Sequence, residues 1–355
     1  MKLPCITMLA TLLLTGSAAA QLQITPPATI PSTTPEKQKP ATAKKKEAAP
    51  KPAASPKPAP SSKPTPAPTV IPAPPTDNSN ADLVYGAYQR GQYKTAFELA
   101  TARAQAGDPK AMTMLGELYS NAMGIRRDYA KAAEWYKRAA DAGDREAMFA
   151  LAMLRISGRG GPVDKGEAVK LMASAAKLGE PRAAYNLALL YLDGQTLPQD
   201  VKRSAELLRQ AADAGLPEAQ YALATFYKEG TGVPKDPERA VRLLQAASLA
   251  DNVDAEVEYA IAMFNGTGTP KNQPAAVALL RKASRQGSAI AQNRLAWVLI
   301  NGVGTTMDKV EGFKWHLVAK TAGKGDPELD KQLSDLPAEE RAKAEAAAKK
   351  WLGNK

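Results

Sequence analysis

An acidic or amide residue recurs every 36 residues through most of this chain, without an insertion or a deletion. The six positions are Asp128, Asp164, Asp200, Asp236, Asn272 and Asp308. An alanine keeps the same period, at residues 111, 147, 183, 219, 255 and 291. A period this strict indicates that one small structural unit is copied six times. The sequence therefore predicts an array of stacked units rather than a globule with one central core.

Each unit is predicted to contain two antiparallel helices joined by a glycine-rich loop. In the first unit, Ala111, Leu115 and Tyr119 recur at a spacing of four residues, which predicts one buried stripe of a first helix, helix A. The periodic Asp or Asn follows the loop, where its side chain can accept backbone N–H groups and cap a second helix, helix B. In helix B of this unit, the large residues Trp135 and Tyr136 precede small ones, which suits a helix packed between two neighbours.

Gly-x-Gly pairs occur in most of the loops between helix A and helix B, for example at residues 158–160 and 230–232. A dinucleotide-binding fingerprint needs a preceding strand and a third glycine at fixed spacing. Because neither is present and the pair recurs in most units, we interpret these glycines as helix-ending turns with positive φ. A glycine also ends helix B in five units, whereas Asp251 takes this place in one.

The first 20 residues are predicted to be a secretory signal peptide. They combine an apolar stretch at residues 6–14 with a small-residue run at 17–20, and the stretch is too short to span a membrane comfortably. We expect cleavage after Ala20, with an uncleaved anchor as the alternative, and a periplasmic or secreted protein without a transmembrane span. The only cysteine, Cys5, lies in the signal, so the mature chain is expected to form no disulfide and no thiolate site.

Residues 21–80 are predicted to be a disordered linker rich in proline, alanine and lysine. Residues 26–76 contain sixteen prolines and few large apolar side chains that could offset the cost of ordering. This composition favours an extended polyproline II conformation. Eight lysines against two glutamates give the same residues a charge of +6 out of +11 for the whole chain. The linker is either a spacer or an arm that contacts peptidoglycan; no nucleic acid partner is expected for an exported protein.

The motif of the first unit resembles a Sel1-like repeat, which is related to the tetratricopeptide repeat but has a longer loop. The motif reads Ala111-x-x-x-Leu115-Gly116-x-x-Tyr119, a glycine loop, and Asp128-Tyr129-x-Lys131-Ala132-x-x-Trp135-Tyr136. The resemblance covers about residues 84–323. It implies an all-α fold, in which helix pairs stack into a right-handed α/α superhelix and helix A lines the concave side. The array is then divided into an N-terminal capping helix pair at 81–107, six repeats at 108–323 and C-terminal capping helices at 324–355.

The resemblance also implies a function in holding protein complexes together. Exported bacterial members of the family are linked to envelope signalling, polysaccharide export and host interaction, so the expected partner is an envelope protein or peptide. In the related tetratricopeptide scheme, the residues two before and two after the central leucine of helix A face inward. Together with neighbouring polar residues, the candidates for partner binding are Phe149, Met153, Tyr185, Asn186, Leu189, Tyr221, Val257, Glu258, Ile261, Arg294 and Trp297. Two alternatives are that these residues pack on one another, and that a partner binds the convex side or the loops.

The sequence contains no constellation that predicts catalysis or metal binding. The single histidine, His316, falls at a packing position of helix B, and the mature chain would offer only carboxylates as other metal ligands. No Ser-x-x-Lys or Gly-x-Ser-x-Gly motif supports acyl transfer. We therefore expect no cofactor, no metal and no enzyme activity. A cell-wall-associated structural protein held by its basic linker is one alternative. A weak hydrolase like the β-lactamase-related members of the family is another, although those members are rich in disulfides.

Overall fold

A computed structural model describes residues 78–353, with side chains from residue 83 onward. These residues form sixteen α-helices and no β-strand. The predicted signal peptide and nearly all of the predicted linker lie outside the described residues. Among residues 78–353, no helix is both long enough and apolar enough to cross a membrane.

Twelve of the described helices form six pairs, and every one of the twelve has thirteen residues. The A helices are α3 (Pro109–Asn121), α5 (Arg145–Ser157), α7 (Pro181–Asp193), α9 (Pro217–Glu229), α11 (Val253–Asn265) and α13 (Ala289–Asn301). The B helices are α4 (Tyr129–Asp141), α6 (Lys165–Lys177), α8 (Val201–Asp213), α10 (Pro237–Leu249), α12 (Gln273–Arg285) and α14 (Lys309–Thr321). Within the six pairs, each helix packs chiefly against the helices next to it in the chain. The predicted all-α solenoid of helix pairs is confirmed.

Two helices flank the array on each side. Helices α1 (Asn78–Gln89) and α2 (Tyr93–Gln105) precede the first pair, and α15 (Pro327–Ser334) and α16 (Ala338–Gly353) follow the last. Helix α16 packs on α14, where the rings of Trp315 and Trp351 meet edge to face at 5.0 Å. Such terminal helices cover apolar surface that a further unit would otherwise bury.

The periodic Asp or Asn is the N-cap of every helix B, as predicted. In all six units its side-chain oxygen accepts the backbone N–H of the residue three positions later, over 2.8–3.1 Å. Its own backbone N–H also donates to a carbonyl near the end of helix A; in the first unit this bond joins Asp128 to Tyr119. One residue thus fixes both the start of helix B and the end of the loop.

The glycine loops are helix-ending turns, which confirms their interpretation from the sequence. Helix α5 ends at Gly158 with φ of 65°, in the left-handed region. The second glycine of this loop, Gly160, has φ of 75° and lies so close to the carbonyl of Tyr129 that a Cβ atom would collide with it. Tyr129 is the first residue of helix B in the preceding unit. Each such loop therefore rests on the unit before it, and glycine is needed for this close approach.

Asp251 also has a left-handed backbone, with φ of 59°, although it is not a glycine. Its carboxylate lies 2.6 Å from the ammonium group of Lys282, which lies equally close to the buried carboxylate of Glu256. An aspartate tolerates this conformation better than most residues. In the one unit whose helix B does not end at glycine, an aspartate thus takes the left-handed turn and also forms an ion pair.

Gly116 of the first unit corresponds to an alanine in each of the other five units. A Cβ atom at residue 116 would lie 2.6 Å from the ring of Tyr136, which is buried in helix α4. The other units carry Met, Leu or His at the position of Tyr136. The glycine is therefore matched to the larger ring on the opposite helix.

Candidate partner-binding surface

The candidate residues lie on the A helices, and we call the second, fifth, sixth and ninth residues of these six helices the A-helix face. Most of the candidates retain solvent exposure. Met153 and Trp297 are exposed by 39% and 43% of their surface. Those of intermediate exposure are Phe149, Tyr185, Asn186, Tyr221, Glu258, Ile261 and Arg294.

Two of the candidates are buried inside the array. Leu189 and Val257 expose only 1% and 4% of their surface. Leu189 occupies the same place in its helix as the exposed Met153, so burial at this place depends on the neighbouring helices. The side chains of Leu189 and Val257 stabilise the array and are not accessible to a partner in this structure.

In the first unit, the A-helix face contacts the N-terminal helices. The phenolic O–H of Tyr88 in α1 donates to the carboxylate of Glu117, the ninth residue of α3, over 2.7 Å. The candidate residues of the face begin in the second unit, with Phe149 and Met153.

Side chains from successive A helices contact one another across the middle units. The guanidinium carbon of Arg182 in α7 lies 5.1 Å from the ring centre of Phe149 in α5. Two units later, the ammonium group of Lys228 in α9 lies 2.8 Å from the carboxylate of Glu258 in α11. These contacts join α5 to α7 and α9 to α11, and the rings of Phe149, Tyr185 and Tyr221 all pack against the same part of the core. We treat the candidates of these four helices as one surface.

Tyr185 and Tyr221 lie at the centre of this surface, with carboxylates beside them. Burial, and then the charge of Glu218, raises the pKa of Tyr185 to about 12. Burial, and then the charges of Asp254 and Glu258, raises the pKa of Tyr221 above its ordinary value. Both phenols are therefore uncharged at physiological pH and can act as hydrogen-bond donors. Both rings also pack against the apolar core of the array. Part of the surface of each ring is therefore buried by packing within the array and is not available to a partner.

The last A helix presents a second exposed stripe. Ile290 is exposed by 42%, and it lies seven residues before Trp297 on α13, so the two side chains share one side of the helix. Between them, the amide of Asn293 donates to the backbone carbonyl of Lys324 over 3.2 Å.

Several residues of this surface were not expected from the sequence. Arg182, Glu218, Asp254 and Ile290 are all the second residue of an A helix, three residues before the predicted inward position. Residues three apart on a helix lie on the same side. That spacing is the signal by which they could have been found.

The buried His316 lies away from the A-helix face. Its Nε2 atom lies 2.8 Å from a carboxylate oxygen of Asp330 in α15. Among residues 83–353, no group of three or more His, Cys, Asp or Glu side chains is placed to hold a metal ion. The arrangement of His316 is that of a packed side chain at the boundary between the last unit and α15.

Comparison with known proteins places this architecture in a family. The family model for the Sel1 repeat matches residues 109–144, 145–180, 181–216, 217–252, 253–288 and 289–324. No curated protein matches the chain. Among solved structures, it is similar to a Sel1 repeat protein from Oxalobacter formigenes, with 27% identity and a TM-score of 0.61 over 67% of this chain and 98% of that one.

A second similar structure is c5321, a protective antigen present in uropathogenic Escherichia coli strains that displays an SLR fold. The identity is 23% and the TM-score 0.52, over 78% of this chain and 68% of that one, which shows the fold alone. The matched repeats tile the six helix pairs and span more than half of the sequence. The chain therefore belongs to the Sel1 repeat family.

Proposed function

We propose that this protein is an exported scaffold of the bacterial cell envelope that binds a partner protein or peptide through the A-helix face. Sel1 repeat proteins are generally scaffolds for protein–protein interaction rather than enzymes. The observation that supports this face is its row of rings: Phe149, Tyr185 and Tyr221 hold the same place in successive units, and charged side chains accompany them. Aromatic residues rimmed by polar ones are typical of the energetically important part of an interface.

The test of this proposal is capture of a partner from the envelope fraction by the protein and by two variants. Tyr185→Ala with Tyr221→Ala removes two aromatic rings from the A-helix face. Leu178→Ala with Leu249→Ala is the matched control, because these leucines are exposed by 50% and 80% at the ends of B helices. We expect the control to retain the partner and the tyrosine variant to lose it. Circular dichroism measures whether both variants keep their helices.

Equal capture by the protein and the tyrosine variant would contradict binding through the A-helix face. If the tyrosine variant unfolds, the two rings serve mainly to hold the array together, which is the packing alternative. In that case Trp297→Ala, at an exposed residue, provides the second test of the same face.

The proposed location in the envelope is supported by the predicted signal peptide. Cell fractionation and the mass of the purified protein test it together: we expect the protein in the periplasm or the medium, lacking residues 1–20. Recovery of the uncleaved chain from the cytoplasm would contradict it.

A second candidate function is a structural protein held at the cell wall by its basic linker. The observation that favours it is the charge of +6 on residues 26–76. A chain without these residues separates the two functions. Partner capture that survives the deletion supports the scaffold, whereas loss of envelope retention supports the structural protein.

A further inference from the structure

The contact between Phe149 and Arg182 shows how two successive A helices meet on this face. Phe149 is the fifth residue of α5 and Arg182 is the second residue of α7. The guanidinium carbon lies 5.1 Å from the ring centre, within the range of a cation–π interaction. This place on the face therefore accommodates an aromatic ring with a guanidinium group over it.

The next two units keep the ring at this place but replace the cation with a carboxylate. Tyr185 is the fifth residue of α7, and Glu218, the second residue of α9, holds the register position that Arg182 holds relative to Phe149. Tyr221 is the fifth residue of α9, and Asp254, the second residue of α11, holds the same register position relative to it. Within residues 83–353, no lysine or arginine lies over either tyrosine ring.

Glu218 and Asp254 are also without a countercharge. Both side chains are exposed, and neither belongs to any of the ion pairs of the described residues. Desolvation, and then the nearby charge of Glu258, raises the pKa of Asp254. A like charge close to an exposed carboxylate favours the approach of a cation.

We infer that Tyr185 with Glu218, and Tyr221 with Asp254, form two equivalent subsites that each bind an arginine side chain of an extended partner segment. The carboxylate accepts N–H groups of the guanidinium, while the ring packs against its planar surface. Arginine is preferred to lysine because a guanidinium can make both contacts at once. This inference rests on the proposed function and specifies the chemistry of the partner.

The spacing of the subsites limits the sequence of the partner segment. The subsites stand on successive A helices, whose side chains meet across unit boundaries elsewhere on this face, so we expect the subsites to be about one helix spacing apart, roughly 8–10 Å. A polyproline II segment rises about 3.1 Å per residue, so side chains three residues apart project about 9 Å from each other on the same side. The expected recognition sequence therefore carries two arginines three residues apart.

The inference is tested by fluorescence anisotropy with a labelled peptide whose core is Pro-Arg-Pro-Pro-Arg-Pro. Matched peptides carry lysine or glutamine in place of both arginines. We expect the arginine peptide to bind most tightly and the glutamine peptide at least about tenfold more weakly, because hydrogen bonds to charged groups are the strong ones. The measurement is made at physiological ionic strength, where exposed charges are screened beyond about 8 Å.

Glu218→Gln with Asp254→Asn removes both charges while it keeps the shape of the side chains. The control is Glu134→Gln with Glu238→Gln, which makes the same change of net charge at exposed positions of the B helices α4 and α10. We expect the first variant to bind the arginine peptide at least about tenfold more weakly and the control to bind it as the protein does. Equal weakening in both variants, or equal binding of the glutamine peptide, would overturn the inference.

The failure of this inference is distinguishable from failure of the proposed function. If the arginine peptide does not bind while envelope partner capture still depends on Tyr185 and Tyr221, the face binds a partner of another chemistry and the inference is wrong. If partner capture is indifferent to both tyrosines, the proposed function itself fails.

Discussion

Buried and outer positions of the same A helices differ in how much they vary between units. The third and eighth residues are small in all six units and the seventh is leucine in five, because these residues face other helices. The fifth residue, by contrast, is Thr113, Phe149, Tyr185, Tyr221, Val257 or Asn293. The backbone repeats because its buried side repeats, while the outer side carries a different chemistry in each unit.

The largest expected difference in stability is between substitutions of Leu151 and Met153 in helix α5. Leu151 exposes 1% of its surface and Met153 exposes 39%. We expect Leu151→Ala to lower the free energy of unfolding by about 2–5 kcal/mol, because it leaves a cavity between helices. Met153→Ala should change it by no more than about 0.5 kcal/mol. Urea denaturation followed by circular dichroism measures both, and similar losses would show that the outer position also belongs to the core.

The match between Gly116 and Tyr136 gives the next largest effect. We expect Gly116→Ala to destabilise the first unit by about 1–3 kcal/mol, because the new methyl group overlaps the buried ring. Tyr136→Leu in the same chain should relieve most of that loss, since leucine faces alanine at this place in other units. A double-mutant cycle measures the coupling, and additive effects would mean that the two residues are not matched.

The periodic cap gives a smaller effect. We expect Asp200→Ala to lower the stability by about 1 kcal/mol, because the backbone N–H of Arg203 loses its acceptor. Asp200→Asn is the control, as Asn272 already serves as the cap in the fifth unit. Thermal unfolding compares the two variants, and an equal loss in both would show that charge rather than capping matters at this residue.

The smallest effect concerns the polar contact at the buried His316. Hydrogen bonds from Lys320 and His316 lower the pKa of Asp330, so this carboxylate contributes stability above its unfolded pKa of about 3.9. That contribution is lost as the pH falls through the lower folded value. We expect Asp330→Asn to be slightly less stable than the protein at neutral pH and to lose less stability below about pH 4. Unfolding curves at both pH values measure this. If the protein and the variant lose the same stability between the two pH values, the proposed role of Asp330 is wrong.

The helix pairs, the caps and the glycine turns could be predicted because each depends on residues close together in a strictly periodic sequence. The surface could be predicted only in part. Leu189 and Met153 occupy the same register position, yet only Leu189 is buried, because burial is set by the side chains of neighbouring helices. The register of α7 could have placed Arg182 on this face, but not its contact with Phe149, which joins residues 33 positions apart in the sequence. The register of one helix does not reveal its neighbour across a unit boundary.

The loop glycines that contact the preceding unit make the junction between neighbours alike at most unit boundaries. Gly160 contacts the first residue of α4, and Gly268 contacts the first residue of α10 in the same way. Whole units can thus replace one another in the array. Deletion of residues 181–216 would let the second and fourth units pack together and would place Glu218 beside Phe149. Recombination between repeats would in this way change the order of charged side chains on the A-helix face without changing the helical fold.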